Sequence, residues 1–175
     1  MTYLFYLGLS LGLITVQTTV IYWLPVFSHF YDLLIPFVLY LGLYRSMRES
    51  VPVLFFLGLV MDNLSGTPFG LYTTAYFWIF VIVNGGIKFL HVGNQILVLI
   101  VIVSGVLIEN SIIVGTIILL GRNPYFPAQD FRSIIFQVLW ALLTGPLILF
   151  LIRYTHRQYE KWTDKLVAGF GESRE

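Results

Sequence analysis

No cysteine occurs among the 175 residues. Disulfides, thiolate nucleophiles and thiolate metal ligands are therefore excluded, and the redox compartment cannot be read. Charge is the second shortage: 11% of the residues are charged, where soluble domains carry about 25%. Histidine is scarce too, limited to His29, His91 and His156. The first two are predicted on opposite faces of a membrane and the third in a C-terminal tail, which argues against a shared histidine metal site. The chain has no Gly-x-Ser-x-Gly elbow and no phosphate-binding glycine loop. Asp32 and Asp62 could approach each other like an acid pair, but both are better explained as helix-end residues. No catalytic residue, cofactor or metal is expected.

What fills the chain instead is apolar. Hydrophobic residues make up 58% of it, and mean hydropathy is +0.85. That excess cannot be hidden in one core, so the composition predicts an all-α integral membrane protein. A net charge of +1 gives no pointer to nucleic acid. The N-terminus lacks a positive n-region and a small-residue cleavage site before Pro25, so its first span is expected to be retained.

A spanning helix takes about 20 apolar residues. Six spans are predicted, at about 3–24, 30–44, 51–64, 69–88, 95–120 and 132–153, with a tail over 154–175. The second and third are short, and four spans with a re-entrant pair over 30–64 is the alternative. Between them Arg45, Arg48 and Glu49 read as a charged turn. Six spans put both termini on one side of the membrane. That side collects Arg45, Arg48, Lys88, Arg153, Arg157, Lys161, Lys165 and Arg174, against Arg122 and Arg132 on the other. The positive-inside rule then makes the termini cytoplasmic.

The most structured stretch is Gly58-Leu-Val-Met-Asp-Asn-Leu-Ser-Gly-Thr-Pro-Phe-Gly-Leu-Tyr72. Asp62 and Asn63 can bond local backbone and stop a helix, while Gly66 supplies a backbone angle other residues resist. Thr67 suits an N-cap and Pro68 the first helical position after it. The stretch therefore reads as a polar elbow between two apolar helices, facing outward.

Three further features stand out. Gly8 and Gly12, continued by Thr15 and Thr19, form a small-residue face suited either to packing within the bundle or to another subunit's helix. Glu109 lies in the middle of the fifth span, where an ionisable group is expensive unless paired or protonated. It is expected to face the interior near Asn110, Gln17 and Gln137, as a hydrogen-bond hub or as part of a ligand or coupling site. Finally, Arg153, Arg157, Lys161 and Lys165 recur every fourth residue, with Tyr159, Trp162, Leu166 and Phe170 opposite them. A basic amphipathic helix of this kind is expected to lie on anionic membrane lipids, or to dock onto a cytoplasmic protein.

Asp32-Leu-Leu, then Leu39-Tyr40 and Arg45, then Gly58-Leu-Val-Met-Asp62-x-Leu-Ser65-Gly66-x-Pro68-x-Gly70-Leu71, resembles the rod shape-determining protein MreD family. The motifs cover residues 30 to about 76; length, span count and basic C-terminal end agree over the whole chain. Tyr31 replaces an expected proline and Phe69 is bulkier than the usual leucine. The resemblance implies a non-enzymatic inner-membrane component of the bacterial cell-elongation machinery. It further implies association with a bitopic MreC-like protein and, through it, with MreB, RodA and a transpeptidase penicillin-binding protein. It also implies a six-transmembrane-helix bundle resembling the S-component fold of energy-coupling-factor transporters. That kinship supplies the rival function, a small-molecule-binding transporter subunit. On the family pattern Asp32, Gly58, Asp62, Ser65, Gly66, Pro68, Gly70 and Leu71 shape the outward partner surface, with Asp62 contributing a polar contact. The Gly8/Gly12 face is a second expected partner site. A closed polar cavity beneath the elbow would favour the transporter reading, and an open apolar groove the scaffold.

Overall fold

The computed structural model describes residues 2–21, 31–66, 68–86, 95–119 and 128–172. The described residues form six helices: α1 Thr2–Thr15, α2 Leu34–Tyr44, α3 Met47–Leu64, α4 Leu71–Gly86, α5 Gln95–Leu119 and α6 Ala128–Glu172. A π-helical segment, Val16–Ile21, continues α1. Residues 22–30, 87–94 and 120–127, which include His29, Lys88, His91 and Arg122, lie outside the described residues, as does Thr67.

Helix α2 is the centre. Its 11 residues are apolar on every side, so no face of it can meet water, and residues 31–42 are all buried. The other five helices surround and touch it. At about 1.5 Å per residue it rises only about 16 Å, half the hydrocarbon thickness of a bilayer. Its shortness is no defect, because its neighbours, not lipid, satisfy its surface.

The outer helices carry one stripe inward and another outward. In α4, Ala75, Tyr76, Ile79, Phe80 and Val83 are buried, whereas Phe77, Trp78 and Ile82 are exposed. In α6 the exposed side chains include Leu139, Leu143, Leu147, Phe150 and Leu151. A surface this apolar is suited to lipid. Two segments, Ile96–Thr116 in α5 and Arg132–Tyr159 in α6, are long and apolar enough to cross a membrane.

Several boundaries differ from expectation. The charged turn between the second and third predicted spans reduces to Arg45 and Ser46, and Arg48 and Glu49 belong to the first turn of α3. The Ser46 carbonyl accepts from the N–H groups of Glu49 and Ser50, which starts the helix two residues after α2 ends. Neither Asp62 nor Asn63 stops α3, which runs to Leu64. Asn63 donates back to the Leu59 carbonyl within the helix, and Asp62 turns its acceptors to the next helix instead. Pro68 is not the first residue of α4; Gly70, at φ +93°, intervenes and is incompatible with a helical start. Helix α6 is unbroken across residue 153 and packs Ile152 and His156 into the bundle, so the bundle extends beyond the expected domain boundary.

Candidate functional site

The elbow is built by one carboxylate. Asp62, in the last turn of α3, accepts from the backbone N–H of Gly70 at 2.9 Å and of Tyr72 at 2.7 Å, and from the Thr73 hydroxyl at 2.8 Å. These are the unsatisfied N–H groups that open α4, so Asp62 caps a helix it does not belong to. The negative charge also faces the positive end of the α4 dipole. Gly58, one turn earlier, lets the helices touch: a Cβ there would sit 2.4 Å from the Thr73 Cα. Gly66, at φ +64°, and Gly70 turn the chain between them. Asp62 is only 3% exposed. It shapes the elbow and is not available on its surface, contrary to the polar partner contact expected of it. Ser65, Gly66 and Pro68 are exposed, and Phe69 is 75% exposed. Beside them an open groove of about 220 Å³ lies between α4 and α5, apolar along Pro68, Phe69, Leu71 and Ile112 and polar at Thr74 and Thr116.

A polar cavity of about 170 Å³ lies at the same end of the bundle, where α2 and α4 begin. Gln17, Tyr31, Asp32, Tyr72, Glu109, Asn110 and Gln137 line it. The π turn of α1 contributes Gln17; a widened turn of this kind often marks a functional position. Asp32 accepts from the Leu34 N–H at 2.9 Å, capping α2, and from the Tyr76 hydroxyl. Gln17 and Glu109 line the same cavity beside it. Glu109 is 4% exposed. Asn110 donates to Gln137 at 3.0 Å, and Tyr31 bonds Thr144 at 3.0 Å.

Sequence reasoning placed Gln17, Asn110 and Gln137 near Glu109, and all four line this cavity. It missed the acidic neighbour of Glu109. Asp32 lies beside Glu109 in the cavity and is not paired with Asp62, and both aspartates accept from N–H groups that open helices. The available signal was depth: Asp32 opens an entirely apolar helix, so it had to be buried and bonded. The aromatic contribution of Tyr72 and Tyr76, one turn apart on α4, was also missed.

At the opposite end of the bundle His156 is 1% exposed, not in a free tail. An Arg45 guanidinium N–H contacts its ring nitrogen at 2.6 Å. Tyr6 stacks on the imidazole at 5.4 Å between ring centres, and Phe5 meets it edge-on at 5.0 Å. The residue reads as tail by sequence position, yet one turn past Ile152 it still faces α1 and α2. Tyr159 packs on Phe5 and Trp162 is exposed; the side chains of Lys161, Lys165, Leu166 and Phe170 lie outside the described ones. Gly8 and Gly12 are exposed, with no atom within 4 Å of an added Cβ. Helix packing inside the described bundle therefore does not use them.

Among the described residues no group of three or more histidines and carboxylates could hold a metal ion. Comparison with protein-family models, curated proteins and solved structures returns no match for this chain.

Proposed function

We propose that this chain is a six-span, non-catalytic scaffold of a bacterial inner membrane, with both termini cytoplasmic. In this reading it belongs with the MreD-like components of the cell-elongation machinery. It holds an MreC-like bitopic protein and, through that protein, MreB, RodA and a transpeptidase penicillin-binding protein. The observation that carries the reading is the elbow. Four residues of the motif serve to fix it: Gly58 by close approach, Asp62 by capping, Gly66 and Gly70 by positive φ. The product is a turn that presents Phe69 to the surroundings beside an open groove. An exposed aromatic beside a groove gives a partner helix an anchor and a seat. Cytoplasmic termini are supported by Arg45 and Arg153, which meet His156 and Tyr44 respectively at the end of the bundle opposite the elbow.

The convergence of Gln17, Asp32, Glu109, Asn110 and Gln137 favours a second reading, a ligand-binding transporter subunit resembling the S-components. Its size weighs against that: about 170 Å³ is below the roughly 300–1,000 Å³ of small-molecule sites. The test is affinity purification of the tagged protein from its native membrane after mild cross-linking, with mass spectrometry of the captured proteins. An MreC-like protein with wall synthases is expected, and its yield should fall in Phe69→Ala and in the groove-filling Thr116→Trp. Capture of a transmembrane coupling subunit with paired ATPases would refute the scaffold.

A further inference from the structure

Helices α5 and α6 run antiparallel and pinch together at Gly145, where an added Cβ would lie 2.9 Å from the Ile102 side chain. Toward the Arg45 end of the bundle the pair leaves a groove of about 480 Å³. Leu99, Pro146, Leu149 and Phe150 form its apolar wall, and Tyr44 and Arg153 lie at its far end. Pro146 and Arg153 are seven residues apart on α6, about 10 Å along its axis. The groove therefore runs from an apolar slot to a single guanidinium.

That guanidinium is placed and unneutralised. Its carbon sits 4.9 Å from the centre of the Tyr44 ring, a cation–π contact that fixes the head while leaving its N–H donors exposed. Among the described residues no carboxylate is paired with it. The outer rim is the lipid-suited face of α6, with Leu147 and Phe150 exposed. Arg153 is the first charge after the apolar run of that helix, which sets it at the level of lipid headgroups.

From this arrangement we infer that the α5–α6 groove is a binding site for one anionic phospholipid, its acyl chain in the slot and its phosphate on Arg153. The occupant is a lipid because both halves of the site are needed. A free phosphate would leave the slot empty, and an uncharged chain would leave the guanidinium unpaired. Arginine suits the headgroup because its planar fork bonds two phosphate oxygens at once. The site is independent of the elbow and of which partner protein is bound there.

The experiment uses the full chain, delipidated in mild detergent. Phosphatidylglycerol and phosphatidylethanolamine of identical acyl chains are added, and native mass spectrometry reads the bound lipid. One phosphatidylglycerol per protein should be retained in preference to phosphatidylethanolamine by about tenfold, because the ammonium of phosphatidylethanolamine competes with Arg153 for the phosphate that both lipids carry. Arg153→Gln should bring the ratio close to one; Arg157→Gln, one turn on and outside the groove, should leave it unchanged. Leu99→Trp should fill the slot and lose the lipid with Arg153 intact. Arg153 is exposed, so its variant keeps the wild-type unfolding midpoint, measured on the same samples. Equal retention of the two lipids by the unaltered protein would overturn the inference. So would an unaffected Arg153→Gln, or an equal effect of Arg157→Gln, which would mark general attraction to a basic surface.

Discussion

Replacing Asp62 with alanine removes three acceptor contacts at once and leaves the Gly70 and Tyr72 N–H groups without the cap that now satisfies them. A hydrogen bond to a charged group contributes about 1.5–3 kcal/mol, and loss of an N-cap costs about 0.5–2 kcal/mol. The two Asp62-bonded N–H groups are only partly buried, so water recovers part of the loss. The expected destabilisation is about 3–4 kcal/mol. Asp62→Asn keeps one carbonyl oxygen for Tyr72 but turns an amide donor toward the Gly70 N–H, and should cost about half as much. Thr73→Val removes a single neutral donor and should cost about 1 kcal/mol. The test is a double-mutant cycle, with unfolding followed by circular dichroism as sodium dodecyl sulfate is titrated into nonionic micelles. Thr73→Val should be nearly silent once Asp62 is alanine, which gives a coupling of about 1 kcal/mol. Additive costs, or an Asp62→Ala cost below about 1 kcal/mol, would refute the capping role. Asp62 would then have to act on a partner after all.

Other consequences follow from the same geometry. Gly58→Ala drives a methyl group into the Thr73 backbone at 2.4 Å and should cost at least the upper end of the roughly 1–3 kcal/mol typical of overpacking. Gly8→Ala and Gly12→Ala, with open space around them, should stay within about 0.5 kcal/mol by the same titration. Glu109→Gln keeps a hydrogen-bonding group in the buried polar cavity beside Asp32 and should be tolerated within about 1 kcal/mol, whereas Glu109→Ala removes it and should cost about 2–3 kcal/mol. An equal response from the two variants would show that a polar group at position 109 does not matter. His156→Ala empties a pocket packed by Phe5, Tyr6 and Tyr40 and should lower stability by about 3 kcal/mol, as deletion of a buried aromatic does. A true tail residue would change nothing.

Composition and hydropathy were sufficient for the helical class and for the apolar exterior, because both depend on averages over long windows. The elbow was legible at Gly66, whose positive φ is a local need that glycine meets. It was misread at Asp62 and Pro68. Local rules assign a side chain to its own helix terminus, but Asp62 bonds residues 8–11 positions ahead. Its partners come within reach only because Gly58 lets α4 lie against α3.

Buried polar groups divide in the same way. That Glu109 needs partners is a sequence-level statement, since an ionisable group in an apolar span must be bonded or neutral. That Asp32 lies beside it depends on α2 lying at the centre of the bundle, which places its first turn against α5. His156 makes the converse point. By position it belongs to a basic tail, yet α6 continues past Ile152 on the same face and carries the ring between Tyr6 and Arg45. Chain chemistry alone thus determined which residues had to leave water and which backbone angles were possible. Which polar groups met one another was decided by how six helices packed, because every such contact joins positions that only the bundle brings together.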